Sequence, residues 1–296
     1  MRTELPNLDR LIRDAAKRLT RMGAKTPDID ARILMQAATG FTHAAMISAS
    51  NDVLSDDKSE LFKGMIERRL LGEPVHRIIG SREFYGRVFS LSEDTLIPRP
   101  DTETIIDAIL DLCRNGFEPK RILDIGTGSG IIGITLAAEL PNVEVVATDI
   151  SEDALKTAVN NAEKVDVIDR VQFLNSDMFK EISGVFDLVV SNPPYIPKSE
   201  ICDLDVEVCK HEPVAALDGG VDGLVFFRKF FAEADSCLVS GGLLVIEIGI
   251  GQLSALKQLA FTGNWEIQRV YKDLADIERV VVLRPIGTNS AESSGN

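Results

Sequence analysis

Through residues 1–72 the apolar positions recur every three or four residues, the habit of helices with one buried face. In LDRLIRDAAKRLTRMG, Leu8, Leu11, Ile12, Ala15 and Leu19 fall on one side, and Gly23 ends the run. TPDIDARILMQAATG opens on a Thr26-Pro27 start signal and closes at Gly40. KSELFKGMIERRLLG repeats the spacing and closes at Gly72. The pattern predicts a small helical domain over residues 1–72, suited to holding or presenting something. Between 73 and 100 it turns to alternation. REFYGRVFSLS reads as a short hairpin inside a linker that LIPRP closes. From 101 to 285 helical and strand periods take turns. DTETIIDAILDLC is a helix that Thr102 or Asp101 can cap, RILDIG a strand, SGIIGITLAAEL a helix, VEVVATDI a strand and EDALKTAVNNAEKV a helix. VQFLNSD and FDLVVSN are strands, GLVFFRKFFAEADSCL a helix, GGLLVIEIG a strand, and WEIQRVYKDLADIERVVVLRP a closing pair of strands. Strands alternating with helices imply an α/β domain whose parallel sheet is covered on both faces, with an antiparallel hairpin at its end. Residues 286–296 read as a disordered tail.

Charge divides along the same line. Residues 1–86 carry 14 Lys+Arg and 12 Asp+Glu, a balance of +2, whereas 87–296 carry 18 and 34, a balance of −16. So acidic a body is a poor general binder of nucleic acid, which needs cations on its phosphates, and direct nucleic-acid binding is not expected. No apolar run approaches the roughly 18 residues of a membrane span, and the charged start MRTELPNLDRLIRDAAKR lacks a signal peptide's apolar core. Cys113, Cys202, Cys209 and Cys237 show no paired spacing, and Cys202, Cys209 and His211 match no zinc pattern. Reduced thiols in a cytoplasmic protein without a metal are expected.

LDIGTGSG, residues 123–130, follows the first strand of the alternating region and opens a helix. Gly126, Gly128 and Gly130, with Thr127 and Ser129 between them, allow a tight turn and close approach of a ligand to backbone. Asp149 ends the next strand, where a carboxylate can accept both hydrogen bonds of a ribose diol. A dinucleotide site would place its third glycine at 131, which is Ile131. The G-x-G-x-G spacing instead suits an S-adenosylmethionine-dependent methyltransferase. NSDMF ends the third strand, so Asp177 can accept from an adenine amino group while Met178 and Phe179 pack against its ring. The bland alternatives are a plain glycine turn and an Asx turn.

VSNPPYIP ends the fourth strand. Pro193 and Pro194 remove two donors and fix two φ angles, so the corner is stiff. Strand order brings it to the crevice that Gly126–Gly130 faces. The Asn192 side-chain oxygen and the Pro193 carbonyl are two acceptors side by side, suited to a planar NH₂ group, with Tyr195 offering a flat face. A purely structural proline turn is the alternative. The corner is read as the catalytic and substrate-holding element. His76 and His211 sit at no strand end and are not expected to act as bases.

Asn-Pro-Pro-Tyr with the glycine loop resembles methyltransferases acting on amino nitrogens of planar systems. EPVHRIIGSREFYG (73–86), LIPRPDTE (96–103), EPVAALDGG (212–220) and DLADIERVVV (273–282) resemble the peptide chain release factor glutamine methyltransferases, the HemK/PrmC family, over roughly residues 5–285. The chain departs in having Met178 where a bulky aromatic often stands. The resemblance implies a doubly wound, mostly parallel seven-stranded sheet with an antiparallel terminal hairpin, plus a helical substrate-recognition domain. It implies that Gly126–Gly130, Asp149, Met178 and Asn192 contact S-adenosyl-L-methionine, and that Asn192–Tyr195 hold the glutamine of the release factors' Gly-Gly-Gln loop. A monomer is expected. Amino-group methylation of adenine or guanine in nucleic acid, or of a ribosomal protein's glutamine, is the alternative.

Overall fold

The computed structural model describes residues 7–286. They form two units: residues up to 81 together with 205–211, and residues 82–204 together with those from 212 onward. The tail expected at 286–296 lies, from 287 on, outside the described residues. Ile286 itself is tied in, its N–H donating to the Asn264 carbonyl at 2.7 Å.

The helical unit contains α1 (Leu8–Met22), α2 (Pro27–Thr39), α3 (His43–Ser48), α4 (Asp56–Leu70) and α5 (Val75–Ile79). The chain then forms a hairpin of β1 (Ser81–Phe84) and β2 (Arg87–Ser90), followed by α6 (Glu103–Arg114), β3 (Arg121–Ile125), α7 (Ile131–Glu139), β4 (Glu144–Asp149), α8 (Glu152–Lys164), β5 (Val171–Asn175) and β6 (Phe186–Ser191). After β6 it returns to the helical unit for α9 (Val206–His211), then finishes with α10 (Val225–Glu233), β7 (Leu238–Glu247), α11 (Leu253–Thr262), β8 (Trp265–Lys272) and β9 (Glu278–Pro285).

Within the helical unit, Leu8, Ile12, Ala15 and Leu19 of α1 are buried as their spacing requires, beside Leu34, Met35, Phe62 and Ile66. Gly23 and Gly40 close α1 and α2 in the left-handed conformation. The unit runs past residue 72, because Val75 and Ile78 of α5 join this core. It also takes back α9, whose Glu207 meets the buried guanidinium of Arg69 at 2.5 Å while Asp30 holds the other side of it at 2.7 Å. A guanidinium this buried needs both carboxylates. Alternation and helical period alone could not show that a segment 130 residues downstream completes the unit.

The larger unit holds a seven-stranded sheet in the order β5-β4-β3-β6-β7-β9-β8. β3 pairs in parallel with β4 on one side and β6 on the other, and β9 runs antiparallel to both β7 and β8. The chain reverses its direction of winding at β3, so a crevice opens there beyond the carboxyl ends of the strands. Both faces are covered: Ile105, Ile109, Ile134 and Leu136 lie against one, Phe227, Phe230 and Leu256 against the other. Near-continuous apolar strands such as Leu188–Val190 follow from burial on both faces.

One cap departs from the sequence expectation. Thr102 occupies the N-cap position of α6 but makes no side-chain cap. Its hydroxyl is engaged elsewhere, and Asp101 is paired with Arg279 at 2.9 Å.

Candidate active site

Four parallel strand ends meet at one edge of the sheet, and a cavity of about 420 Å³ opens there, within the usual range of about 300–1,000 Å³ for ligand pockets. β3 delivers Gly126–Ser129 to its wall, β4 Asp149, β5 Asp177 and Met178, and β6 Asn192–Pro194.

Glycine is required in the first turn. Gly126, Gly128 and Gly130 have φ of 71°, 57° and 85°. A Cβ on Gly126 or Gly128 would meet no protein atom within 4 Å, so the space above them is open. On Gly130 it would lie 2.4 Å from Ile134 Cδ1. Gly130 is not part of the cavity wall; it lets α7 start against α8. The loop is held from behind. Asp124, fully buried, accepts from Thr127 Oγ1 at 2.6 Å and from the Gly133 N–H at 3.0 Å. Burial pushes its carboxyl up to about 6. Asn161 of α8 donates to the Ser129 carbonyl at 2.8 Å, tying the loop to the next helix after α7.

Asp149 accepts from the Gly128 N–H at 2.8 Å and the Ser151 N–H at 2.9 Å. Burial raises its carboxyl, and the N–H groups of Ser151, Gly128 and Ile150 pull it back. Asp177 is held low chiefly by its hydrogen bond from Lys180, at 2.6 Å. Met178 adopts φ 56° and reaches the cavity. Phe179 does not; it packs edge-on to Phe230 at 5.6 Å in the core beneath.

At the corner, Asn192 Nδ2 donates to Thr102 Oγ1 at 3.1 Å. That leaves Asn192 Oδ1 without a partner among the described residues, on a side chain that lines the cavity. Tyr195 is not in the wall. Its hydroxyl turns toward Glu247 Oε1, 3.4 Å away, and its carbonyl accepts from Gln252 Nε2 at 2.9 Å. Burial, then the Glu247 charge, raises the phenol. A Cβ on Gly219 or Gly223 would strike the Tyr195 backbone, and one on Gly249 its ring at 3.0 Å. Gly219 of EPVAALDGG, with Gly223 and Gly249, thus lets the chain close around the corner.

A family model for the methyltransferase small domain matches residues 105–209, and one for the PrmC N-terminal domain matches residues 10–80. A release factor glutamine methyltransferase of Agrobacterium fabrum is 41% identical over 91% of this chain and 94% of its own length. One from Bradyrhizobium diazoefficiens is 41% identical over 92% and 93%. The chain belongs to the release factor glutamine methyltransferase family. Among solved structures, the human Mettl16 catalytic domain (TM-score 0.54, 16% identity, 76% of this chain and 83% of that one) and a Pyrococcus furiosus methyltransferase (TM-score 0.50, 19%, 73% and 96%) share the fold.

For this family member, several wall residues escaped the sequence reading. Arg99 and Thr102 come from IPRPDTE, Pro213, Ala215, Ala216 and Asp218 from EPVAALDGG, and Ile150, Phe226 and Lys229 line the cavity as well. Glu212, buried, accepts from the Ile97 N–H and from Arg99, both at 3.1 Å, and so sets that segment in place. The signal was present in the two segments that carried the resemblance, LIPRPDTE and EPVAALDGG. His76 and His211 lie in the helical unit and are not in the cavity wall. Among the described residues no group of three or more His, Cys, Asp or Glu could hold a metal ion, and no helix is long and apolar enough to cross a membrane.

Proposed function

We propose that this chain transfers a methyl group from S-adenosyl-L-methionine to the side-chain amide nitrogen of a glutamine in peptide chain release factors, the glutamine of their Gly-Gly-Gln loop. The observation that carries this reading is the meeting, in one cavity, of the glycine loop and Asp149 with an Asn192 whose acceptor oxygen has no partner among the described residues. The wall fits the donor. Asp149 offers a carboxylate to a ribose diol, Asp177 an acceptor to an adenine amino group, and Ile150, Met178 and Phe226 apolar surface to its ring. The donor supplies an electrophilic methyl on a sulfonium sulfur.

The chain's own residues then position the nucleophile. Asn192 Oδ1 and the Pro193 carbonyl each accept one hydrogen of the glutamine NH₂, with the prolines fixing their spacing. An amide nitrogen is a weak nucleophile, so alignment supplies much of the rate. As the nitrogen–carbon bond forms and the sulfur–carbon bond breaks, positive charge grows on nitrogen and strengthens both hydrogen bonds. The nitrogen's extra proton then passes to water, since an alkylated amide nitrogen is strongly acidic, and no side-chain base is required. Tyr195 braces the corner from behind. The helical unit, near neutral where the body is acidic, presents the protein substrate.

The test is transfer of labelled methyl from S-adenosylmethionine to purified release factor, to a short Gly-Gly-Gln peptide and to DNA. Release factor should be methylated on glutamine, with kcat/KM well above that of the peptide. Transfer to DNA and not to release factor would overturn the assignment.

A further inference from the structure

DLADIERVVV, residues 273–282, carries part of the family likeness, yet none of it lies in the cavity wall. Its place in the sheet says what it can reach. β9 runs antiparallel to β7, with Val280 beside Glu247. It therefore begins at the edge where the parallel strands end, which is the edge of the site. The turn before it is tightly bonded. Asp273 Oδ1 accepts from the N–H groups of Ala275 and Ile277 at 2.8 and 3.0 Å, and the Asp273 N–H donates to the Ile277 carbonyl at 2.9 Å. Its second oxygen, Oδ2, accepts from Arg279 Nε at 2.8 Å. Arg279 is buried, and its carbonyl accepts from the Ile248 N–H at 2.8 Å. A planar guanidinium held along one edge has its remaining N–H groups aimed in one direction. Here Nη2 meets Asp101 Oδ2 at 2.9 Å. The next residue is Thr102, whose buried Oγ1 accepts from Asn192 Nδ2 at 3.1 Å.

We propose that Arg279 is a positioning residue: through Asp101 it holds Thr102 where that hydroxyl receives the Asn192 amide. This rests on the reading of the corner as the glutamine site. Glu212 pins the same segment at Ile97 and Arg99, and α6 supplies no side-chain cap to pin its other end. Arg279 supplies that second pin. Asp101 and Thr102 share a peptide bond, so a shift of one moves the other. With Nδ2 bound to Thr102, Oδ1 is the atom left for the cavity, and its place follows from that of Thr102. A lysine at 279 would keep the charge but lacks the fork that spans Asp273 and Asp101. Asp101, its side chain 44% exposed, contributes little to stability as an ion-pair partner. Its removal therefore tests the site with little cost to the fold.

The experiment uses the full chain with release factor as substrate, and counts folded molecules by the stoichiometry of S-adenosylmethionine binding in calorimetric titration. Asp101→Ala should lower kcat per donor-binding molecule about tenfold, the scale of one misplaced hydrogen bond. Donor affinity should stay within about twofold. Arg279→Lys should do the same, and both changes together should be no worse than either alone. In an Asn192→Ala background Asp101→Ala should cost nothing further, because its effect runs through that amide. If Arg279→Lys fails to fold, Asp101→Ala decides alone. Wild-type kcat per donor-binding molecule in Asp101→Ala, or a further loss of rate when it is added to Asn192→Ala, would overturn the proposal. A wild type that binds donor but leaves release factor unmethylated would instead overturn the functional reading beneath it, and this inference with it.

Discussion

The loop at residues 126–130 and the corner at 192–195 leave neighbouring strands of one sheet at the same edge, and they are built in opposite ways. The loop gains its shape from three glycines at positive φ, so backbone can approach a ligand where any side chain would strain. The corner gains its shape from two prolines and exposes one amide. Each is stiffened from beneath by a buried carboxylate. Asp124 receives Thr127 Oγ1 and the Gly133 N–H beneath the loop. Glu247 stands beneath the corner, reached by the Tyr195 hydroxyl. The difference teaches a division of labour. Binding a large ligand needs many backbone and apolar contacts, each worth little. Choosing the reacting atom needs a few acceptors that cannot move.

The sharpest way to break that comparison is Asn192→Ala. The prolines keep the turn, so donor affinity should hold while single-turnover methylation of release factor falls about 100-fold or more, by analogy with loss of one oxyanion-hole donor. A nearly active enzyme would make the corner only a turn. Asp149→Ala should do the reverse. It should weaken S-adenosylmethionine binding by about 10- to 100-fold, the loss of a charge-assisted contact worth about 1.5–3 kcal/mol, while saturating donor restores much of the rate. Unchanged affinity by calorimetric titration would remove Asp149 from the donor site.

The two regions were also unequally legible. The loop is written locally: a strand, five residues and a helix contain it, and Asp149 follows at the next strand end. The corner's position was legible too, but its support was not, because its partners are 90 residues upstream at Thr102 and 52 downstream at Glu247. Thr102 read as a helix cap because capping is what a threonine before Glu103 ordinarily does. Glu247 passed as one more residue of GGLLVIEIG, although a carboxylate amid buried isoleucines was the available signal. Phe179 and Tyr195 were expected to face the ligands because their neighbours do. Instead Phe179 turns into the core, and glycines 219, 223 and 249 let the chain close around Tyr195. Periodicity located the helices of the first unit, but α3, α5 and α9 are each six residues or fewer, too short to show a repeat. α11 has no side-chain N-cap to announce it.

The smallest predicted effect separates the two carboxylates by pH. Burial raises the Glu247 carboxyl from its ordinary 4.5 to about 7, with the nearby Thr102 hydroxyl and the charge of Arg279 pulling it down. Arg279 is itself held by Asp273 and Asp101. A carboxyl raised in the folded state binds its proton more tightly there than in the unfolded chain. Its contribution to stability is therefore full below about pH 4.5 and is lost as pH rises through about 7. Glu247→Gln has no such proton to lose. Its melting temperature minus that of wild type should thus climb from pH 5 to pH 8 by a few degrees, about 1 kcal/mol or more for a chain of this size, and then level off. Carboxyls held low elsewhere, such as Asp111 and Asp273, are present in both proteins and cancel in the difference. The same substitution on Asp124, raised only to about 6, should place its climb about one pH unit lower. A difference that stays flat with pH would mean that Glu247 is already ionised at pH 5, with Thr102 and Arg279 outweighing burial. The corner would then rest on a fixed charge throughout, as firmly at pH 5 as at pH 8.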